Sequence, residues 1–274
     1  MDCKNCFAEI APEAQYCSAC GAKVIRERIT VKGLWGEFTN NVLGWDNKFF
    51  KTIYFLISKP ATILGEYLNG TRKKYMSPIS FFAIGMTLSI LVLNSFEDTY
   101  LEMAKEAILE SGKFMSENVG GVYASENYQK FNLEMNQKFQ KHMLTYYNVY
   151  NFLMLPLYAL IAFLVYGKPY KYGEHLVIIT YCQGLGFLIT GIAFLVGILM
   201  SSPSIFSFSL IIVVFLYLYI YGRLYRLGLG TSIVKFLLFV AILGIFFMAI
   251  IVLTIVITFL GHKLGLIDLT SFKM

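Results

Sequence analysis

The chain has 274 residues, of which 57% are hydrophobic and only 15% charged, with a net charge of +6. An ordinary soluble domain holds roughly 45–50% apolar and about 25% charged residues, so the composition argues against a freely soluble globular protein and for uncharged runs of membrane-spanning length. The positive charge, which in a soluble chain would suggest nucleic acid, is then read through the loops that flank those runs.

Residues 1–24 hold four of the five cysteines, Cys3, Cys6, Cys17 and Cys20, spaced C-x2-C-x10-C-x2-C. Each Cys-x-x-Cys places two sulfurs on one side of a tight knuckle, and two knuckles close a tetrahedron around a metal ion. Gly21 follows the second pair, where a left-handed turn costs glycine little, whereas Phe7 stands at that position after the first. Four ligands leave no open coordination position, so the predicted ion is structural, with zinc ahead of iron. A redox dithiol is the alternative, and no βαβ pattern surrounds the cysteines to support it. Four thiolates on a dication carry a net −2, which Lys4, Lys23, Arg26 and Arg28 can offset. Residues 1–30 contain no apolar signal-peptide core. This predicts an N-terminus in the reducing cytosol, where paired cysteines favour metal over disulfide.

Residues 29–76 carry apolar positions at helical spacing: Leu34, Phe38 and Val42, then Ile53, Tyr54 and Ile57. Pro60 can open a further helix that Asn69-Gly70 closes. The segment reads as amphipathic helices on a membrane surface, with Trp35 and Trp45 at the headgroup boundary. A small soluble helical domain is the alternative. Arg72, Lys73 and Lys74 then precede Ser77 and Pro78, a cap and a first-turn proline.

Five spans are predicted at 77–96, 148–166, 175–200, 203–222 and 233–260. Pro156 lies inside the second, as a kink. With the N-terminus inside, the inner connections contain Lys168, Lys171, Arg223, Arg226 and Lys235. The long outer segment, 97–147, carries eight acidic and five basic residues. That distribution obeys the positive-inside rule. It places the C-terminus outside the cytoplasmic (inner) membrane, although Lys263 and Lys273 against Asp268 in the tail are a mild dissent. Segment 97–147 reads as an extracytoplasmic helical hairpin. Its first helix is broken at Ser111-Gly112 and Gly120-Gly121. Its second starts at Ser125, with Tyr128, Phe131, Met135, Phe139 and Met143 three or four apart, and runs on into the second span. A packing cap is favoured over a sensor domain.

No Asp lies in any span, and His175 and Lys235 lie at span ends, within reach of the interface. Asn94, Asn148 and Asn151 are expected to bridge helices. In span three, Gln183, Gly186, Thr190, Ala193 and Gly197 form a small-residue stripe for close helix contact, with Gly85 and Ser89 of span one as the opposing surface. Cys182, one position from that stripe, reads as an ordinary buried thiol.

The segments CKNC…YCSACG, WDNKFFKTIYFLISKP and GEYLNGTRKKYMSPISFF make residues 3–95 resemble a bacterial family of zinc-ribbon multi-pass membrane proteins of unknown function. The resemblance implies a ribbon, an aromatic helix, a Pro-started helix and a basic lead-in to the first span. It implies no activity. KPYKYGEHLVIITYCQG and GRLYRLGLGTSIVKF are weakly similar to five-span Yip-type membrane proteins, which implies a trafficking-like or scaffold role.

The reading is an all-α integral membrane protein of five transmembrane helices, with an N-terminal four-cysteine zinc ribbon. The expected role is non-enzymatic, a scaffold or regulatory adaptor whose ribbon docks a cytosolic or membrane protein. Partners are the lipid bilayer and that protein, with homo-oligomerisation left open. Transporter or channel activity is the first alternative. Nucleic-acid binding by the ribbon is the second, and the acids interspersed among its few basic residues argue against it.

Overall fold

A computed structural model of the chain describes residues 1–24, 30–32, 48–121, 125–200 and 202–263. The predicted helix around Leu34, Phe38 and Val42, both tryptophans, Arg26, Arg28 and the tail with Asp268 and Lys273 lie outside the described residues. The chain divides into two units, Met1–Trp45 and Asp46–Met274.

The second unit is helical. Its elements among the described residues are α1 (Lys48–Ser58), α2 (Pro60–Leu68), α3 (Pro78–Ser95), α4 (Glu97–Asn118), α5 (Glu126–Thr145), α6 (Tyr147–Tyr166), α7 (Tyr172–Leu199), α8 (Pro203–Tyr225) and α9 (Leu229–Lys263). Local chemistry accounts for their ends. Proline occupies the first turn of α2, α3 and α8, where its missing N–H has no partner to lose. Ser77 Oγ accepts from Ser80 N, and Ser125 Oγ from Tyr128 N, at 3.2 Å each. Arg226 closes α8 in the left-handed region at φ 53°, with Leu227 N donating back to Gly222 O.

Helices α3, α6, α7, α8 and α9 are long and apolar enough to cross a membrane, as a multi-pass membrane protein requires. Their burial is uneven. α7 is packed on three sides, by α3, α6 and α8, and its Ile178, Tyr181, Cys182 and Leu185 are almost fully buried. α9 is the least covered of the five: within Leu229–Leu253 Ser232 is buried and Phe239, Ile242 and Leu243 pack partly on the core, while most of its apolar side chains are exposed. α6 runs unbroken through Pro156.

The first two helices of this unit seat in the same core. Leu56 of α1 and Ile63 and Leu64 of α2 are fully buried there with Phe81 and Tyr181. For Leu56, Ile63 and Leu64, outside the long apolar helices, burial is worth about 1.5–3 kcal/mol each relative to exposure to water. Thr52 Oγ1 donates to Lys48 O at 2.7 Å and accepts from Met76 N at 3.1 Å. Tyr181 Oη of α7 donates to Met76 O at 2.6 Å. The loop between α2 and α3 is thereby tied to α1 on one side and α7 on the other. α1 also has an outward face: Phe50, Tyr54 and Ile57 are 63%, 62% and 52% exposed.

The close crossing of α3 and α7 uses other residues than the predicted stripe. Gly85 and Ser89 do face α7, but they meet Gly184 and Gly191. A Cβ on Gly85 would lie 2.5 Å from Gly184 O, and one on Gly191 would lie 3.3 Å from Ser89 Cα. Gly186 and Gly197 lie against α8 instead, near Val213 and Ser202. Thr190 Oγ1 returns its hydrogen to Gly186 O of its own helix, and Gln183 makes no cross-helix hydrogen bond among the described residues. α7 has small residues on two faces, and periodicity alone does not assign each face to a neighbour.

The segment between α3 and α6 is a pair of packed helices. α4 passes through Ser111-Gly112 without the predicted break. Ser111 Oγ bonds to Ile108 O, and one glycine costs a 22-residue helix only about 1 kcal/mol. The chain turns at Gly120 and Gly121, both at positive φ. Nor is α5 continuous with α6: Tyr146, at φ −104° and ψ 18°, interrupts them by one residue. α5 turns Asn132, Asn136 and Gln140 inward and leaves Phe131, Met135 and Phe139 exposed. Tyr100 Oη of α4 donates to Gln140 Oε1 at 3.0 Å. Asn151 Nδ2 bonds to Tyr147 O of its own helix, not across helices. Asn94 and Asn148 line a polar cleft of about 440 Å³ with Glu97 and Thr145.

Candidate metal centre

The two knuckles of the N-terminal unit are built alike, residue for residue, fourteen positions apart. In the first, Cys3 N donates to Ala8 O and Phe7 N to Cys3 O, at 2.9 and 2.8 Å. In the second, Cys17 N donates to Ala22 O and Gly21 N to Cys17 O, at 2.8 and 2.9 Å. Single antiparallel bridges, Asp2 with Glu9 and Tyr16 with Lys23, clamp the base of each. Both knuckles place the residue after the second cysteine in the left-handed region: Gly21 at φ 71° and Phe7 at φ 60°. The departure from glycine at Phe7 changes the side chain and leaves the turn intact.

The four sulfurs converge. All lie within 4.8 Å of one another. Cys3 Sγ is 3.7 Å from Cys20 Sγ, and Cys6 Sγ is 3.6 Å from Cys17 Sγ. Four sulfurs at about 2.3 Å from one ion stand about 3.8 Å apart, so these edges fit a tetrahedral thiolate site. They are far from the ~2.05 Å of a disulfide. The cage could hold a metal ion, and its four ligands leave no position for a substrate.

The surroundings favour the thiolate at Cys20 and Cys3 and oppose it at Cys6. The Asn5 carboxamide donates to Cys20 Sγ at 3.5 Å. That bond, the Ala22 amide and Cys6 bring the Cys20 thiol down to about 6. The amides of Asn5 and Cys6 lower Cys3. The Ala8 amide acts the same way on Cys6, but Cys20, desolvation and the other thiols outweigh it and push Cys6 up to about 12. Sulfurs this close share a proton unless a cation takes its place. Apart from the cage the unit has little interior. Among the described residues Cys3, Cys17 and Ile10 are its buried hydrophobic residues, with Ala8, Ala22 and Val24 against them.

A second polar cluster was not anticipated. His175 is fully buried, where a span end suggested access to the interface. The helices around it close over it. Its Nε2 lies 3.1 Å from Tyr225 Oη of α8 and 3.4 Å from Gly167 O, and Tyr225 Oη donates to that same carbonyl at 2.9 Å. Tyr166 and Tyr221 stack beside it at 4.2 Å. Lys235 Nζ of α9 donates to Val165 O at 2.7 Å and sits over the Tyr166 ring. Among the described residues, His175 Nδ1 and Tyr221 Oη have no partner. The available signal was the tyrosines four apart in α8, Tyr221 and Tyr225, which share a helix face. Cys182 is buried, as expected of a structural thiol.

A third polar group ties α2 to the lead-in of α3. Glu66 Oε2 accepts from Lys74 Nζ at 2.6 Å and from Tyr75 Oη at 2.7 Å. Lys74 first, then Tyr75, holds the Glu66 carboxyl below its ordinary value, and the same contact raises Lys74.

This third group falls where the chain has a known counterpart. Residues 46–90 match a family model described as Protein of unknown function (DUF3667). The match takes in α1, α2, their tie to Met76 and the first two-thirds of α3. No curated protein and no solved structure matches the chain.

Proposed function

We propose that the chain is a non-enzymatic multi-pass protein of the cytoplasmic membrane whose N-terminal zinc ribbon, on the cytosolic side, docks a protein partner. Zinc suits a closed four-sulfur cage better than other first-row metals, because it has no geometric preference of its own and accepts four thiolates. Lipid supplies what the protein does not: α9 has an apolar surface that no part of the described chain covers.

The observation that carries the docking role is Phe7. It is 81% exposed. It occupies a left-handed position that the equivalent knuckle gives to glycine. A residue other than glycine there costs about 1–2 kcal/mol, and an aromatic ring held in water adds nothing to folding. Rigid exposed aromatics are the typical anchors of protein interfaces. Phe7→Gly is therefore expected to keep or tighten metal binding while losing the partner. Crosslinking in native membranes, with identification of what is attached to residues 1–76, tests this. Equal capture by the Phe7→Gly chain would defeat the docking role.

Transport is a second reading. The His175–Tyr225–Lys235 cluster supports it, because ionisable groups inside a bundle often mark a pathway. Flux through purified protein in proteoliposomes decides it.

A further inference from the structure

The two ends of the helical unit differ in charge far more than the span boundaries require. Segments 48–78, 167–175 and 222–235 contain eleven lysines and arginines and two carboxylates. Both carboxylates are engaged: Glu66 by Lys74 and Tyr75, and Glu174 by the Lys171 amide at 2.7 Å. Direct bonds show that these segments share one end. Tyr219 Oη of α8 donates to Ser58 O at the close of α1, Tyr225 Oη to Gly167 O, and Lys235 Nζ to Val165 O. Lys48, Lys59, Arg72 and Lys73 are exposed. Among the described residues no carboxylate lies within ion-pair distance of any of them. The α4–α5 segment at the other end carries a net negative charge.

At the basic end, the outward face of α1 is apolar. Phe50, Tyr54 and Ile57 project from it, between Lys48 and Lys59. Its inward face is already spent on the core through Thr52 and Leu56. An apolar stripe edged by cations suits one environment well, the headgroup layer of an anionic bilayer. Rings and aliphatic chains enter the acyl boundary there while ammonium and guanidinium groups meet phosphate.

We infer that α1, together with Arg72 and Lys73, forms a binding surface selective for anionic phospholipid headgroups. The inference rests on the membrane-spanning reading of the bundle and adds the class of lipid bound. α1 meets α8 through the Tyr219–Ser58 bond, so the surface continues the lipid contact that α8 begins.

The test uses the full chain in vesicles of phosphatidylcholine and phosphatidylglycerol at four to one. The protein is extracted with its annular lipid, and the retained lipids are quantified by native mass spectrometry. Enrichment of phosphatidylglycerol on the order of fivefold over its share in the vesicle is expected, falling towards parity in 0.5 M salt. Lys48→Gln/Lys51→Gln/Arg72→Gln/Lys73→Gln should abolish the enrichment. Arg72→Gln/Lys73→Gln, at two exposed positions with no packing role, should halve it and guards against misfolding of the larger variant. Lys105→Gln/Lys113→Gln at the opposite end should leave it unchanged. Lipids retained in the vesicle ratio, or equal enrichment in wild type and the fourfold variant, would overturn the inference. So would a crosslink in vesicles from Phe50→Cys to residues 1–47, because that face would then be covered by protein. A chain that stays monodisperse in plain buffer with no lipid or detergent would instead overturn the membrane reading beneath it.

Discussion

The cysteine unit and the helical unit solve the same problem in opposite ways. Residues 1–24 bury two cysteines and one isoleucine and little else. A chain that short cannot offset its conformational entropy with apolar burial, so on the metal-binding reading an ion in the sulfur cage would do so. The helical unit buries Leu56, Ile63, Phe81, Tyr181 and many others in one cluster, and its outer helix has apolar surface to spare. One unit has too little grease to fold alone, and the other has more than protein contacts can hide. The comparison predicts that the two fold independently: loss of an ion should not be felt by the bundle, nor loss of a helix crossing by the cage.

The hardest blow to that separation is removal of the metal. Cys17→Ser, or chelation, is expected to release the bound ion stoichiometrically and to abolish amide protection across residues 1–24. Structural zinc supplies about 10–16 kcal/mol in such sites. Helical circular dichroism of the remaining chain should be unchanged, and its collapse would show one cooperative unit. Next in size is the α3–α7 crossing. Gly184→Leu places a side chain where a Cβ alone would be 2.8 Å from Phe81 Cδ1 and 3.0 Å from Phe82 Cα. The expected cost is about 3 kcal/mol, seen as a lower unfolding temperature in detergent with metal content intact. Gly186→Ala, whose new atom would meet Val213 Cγ1 at 3.5 Å, should be near neutral.

Smaller still is Tyr181→Phe, which removes the bond to Met76 O and leaves that buried carbonyl without its donor. About 1–2 kcal/mol of bundle stability should go. Phe7→Gly sharpens the cage side of the comparison. Relief of the left-handed strain should tighten metal binding by up to about tenfold in a competition titration. The smallest effect is pH-dependent. Glu66 has its folded value depressed by Lys74 and Tyr75, so its contribution is present above the ordinary carboxylate value of 4.5 and is lost as pH falls through the lower folded value. Hydrogen exchange at the α2–α3 junction should speed up below that pH in wild type, and Glu66→Gln should flatten the dependence.

Much of the fold was readable in advance because it is written in local chemistry. Ser77-Pro78, Pro60 and Ser125 mark helix starts through the geometry of a few adjacent bonds. Uncharged runs mark the five long helices through composition alone. The four ligands of the cage were legible from spacing, since Cys-x-x-Cys can fold in few ways. Phe7 shows the limit of that legibility. It looked like an exception to the knuckle pattern, yet the backbone takes the same left-handed turn, because the two amide bonds at Cys3 outweigh the steric cost of the side chain. Ser111-Gly112 shows the opposite error: a local breaker was overruled by the helix on either side of it.

The amino-acid sequence by itself determined that this chain is helical and apolar, and that four cysteines are brought together near its start, because these follow from neighbouring residues and their periodicity. Only the tertiary structure decided which glycines of α7 touch α3, that His175 is buried among tyrosines while the half-buried Lys235 reaches the Val165 carbonyl, and that α1 divides its two faces between core and surroundings. Those outcomes depend on which helix lies beside which. Several faces of α7 were suitable for close contact, and only the packing of α3, α6 and α8 around it chose among them.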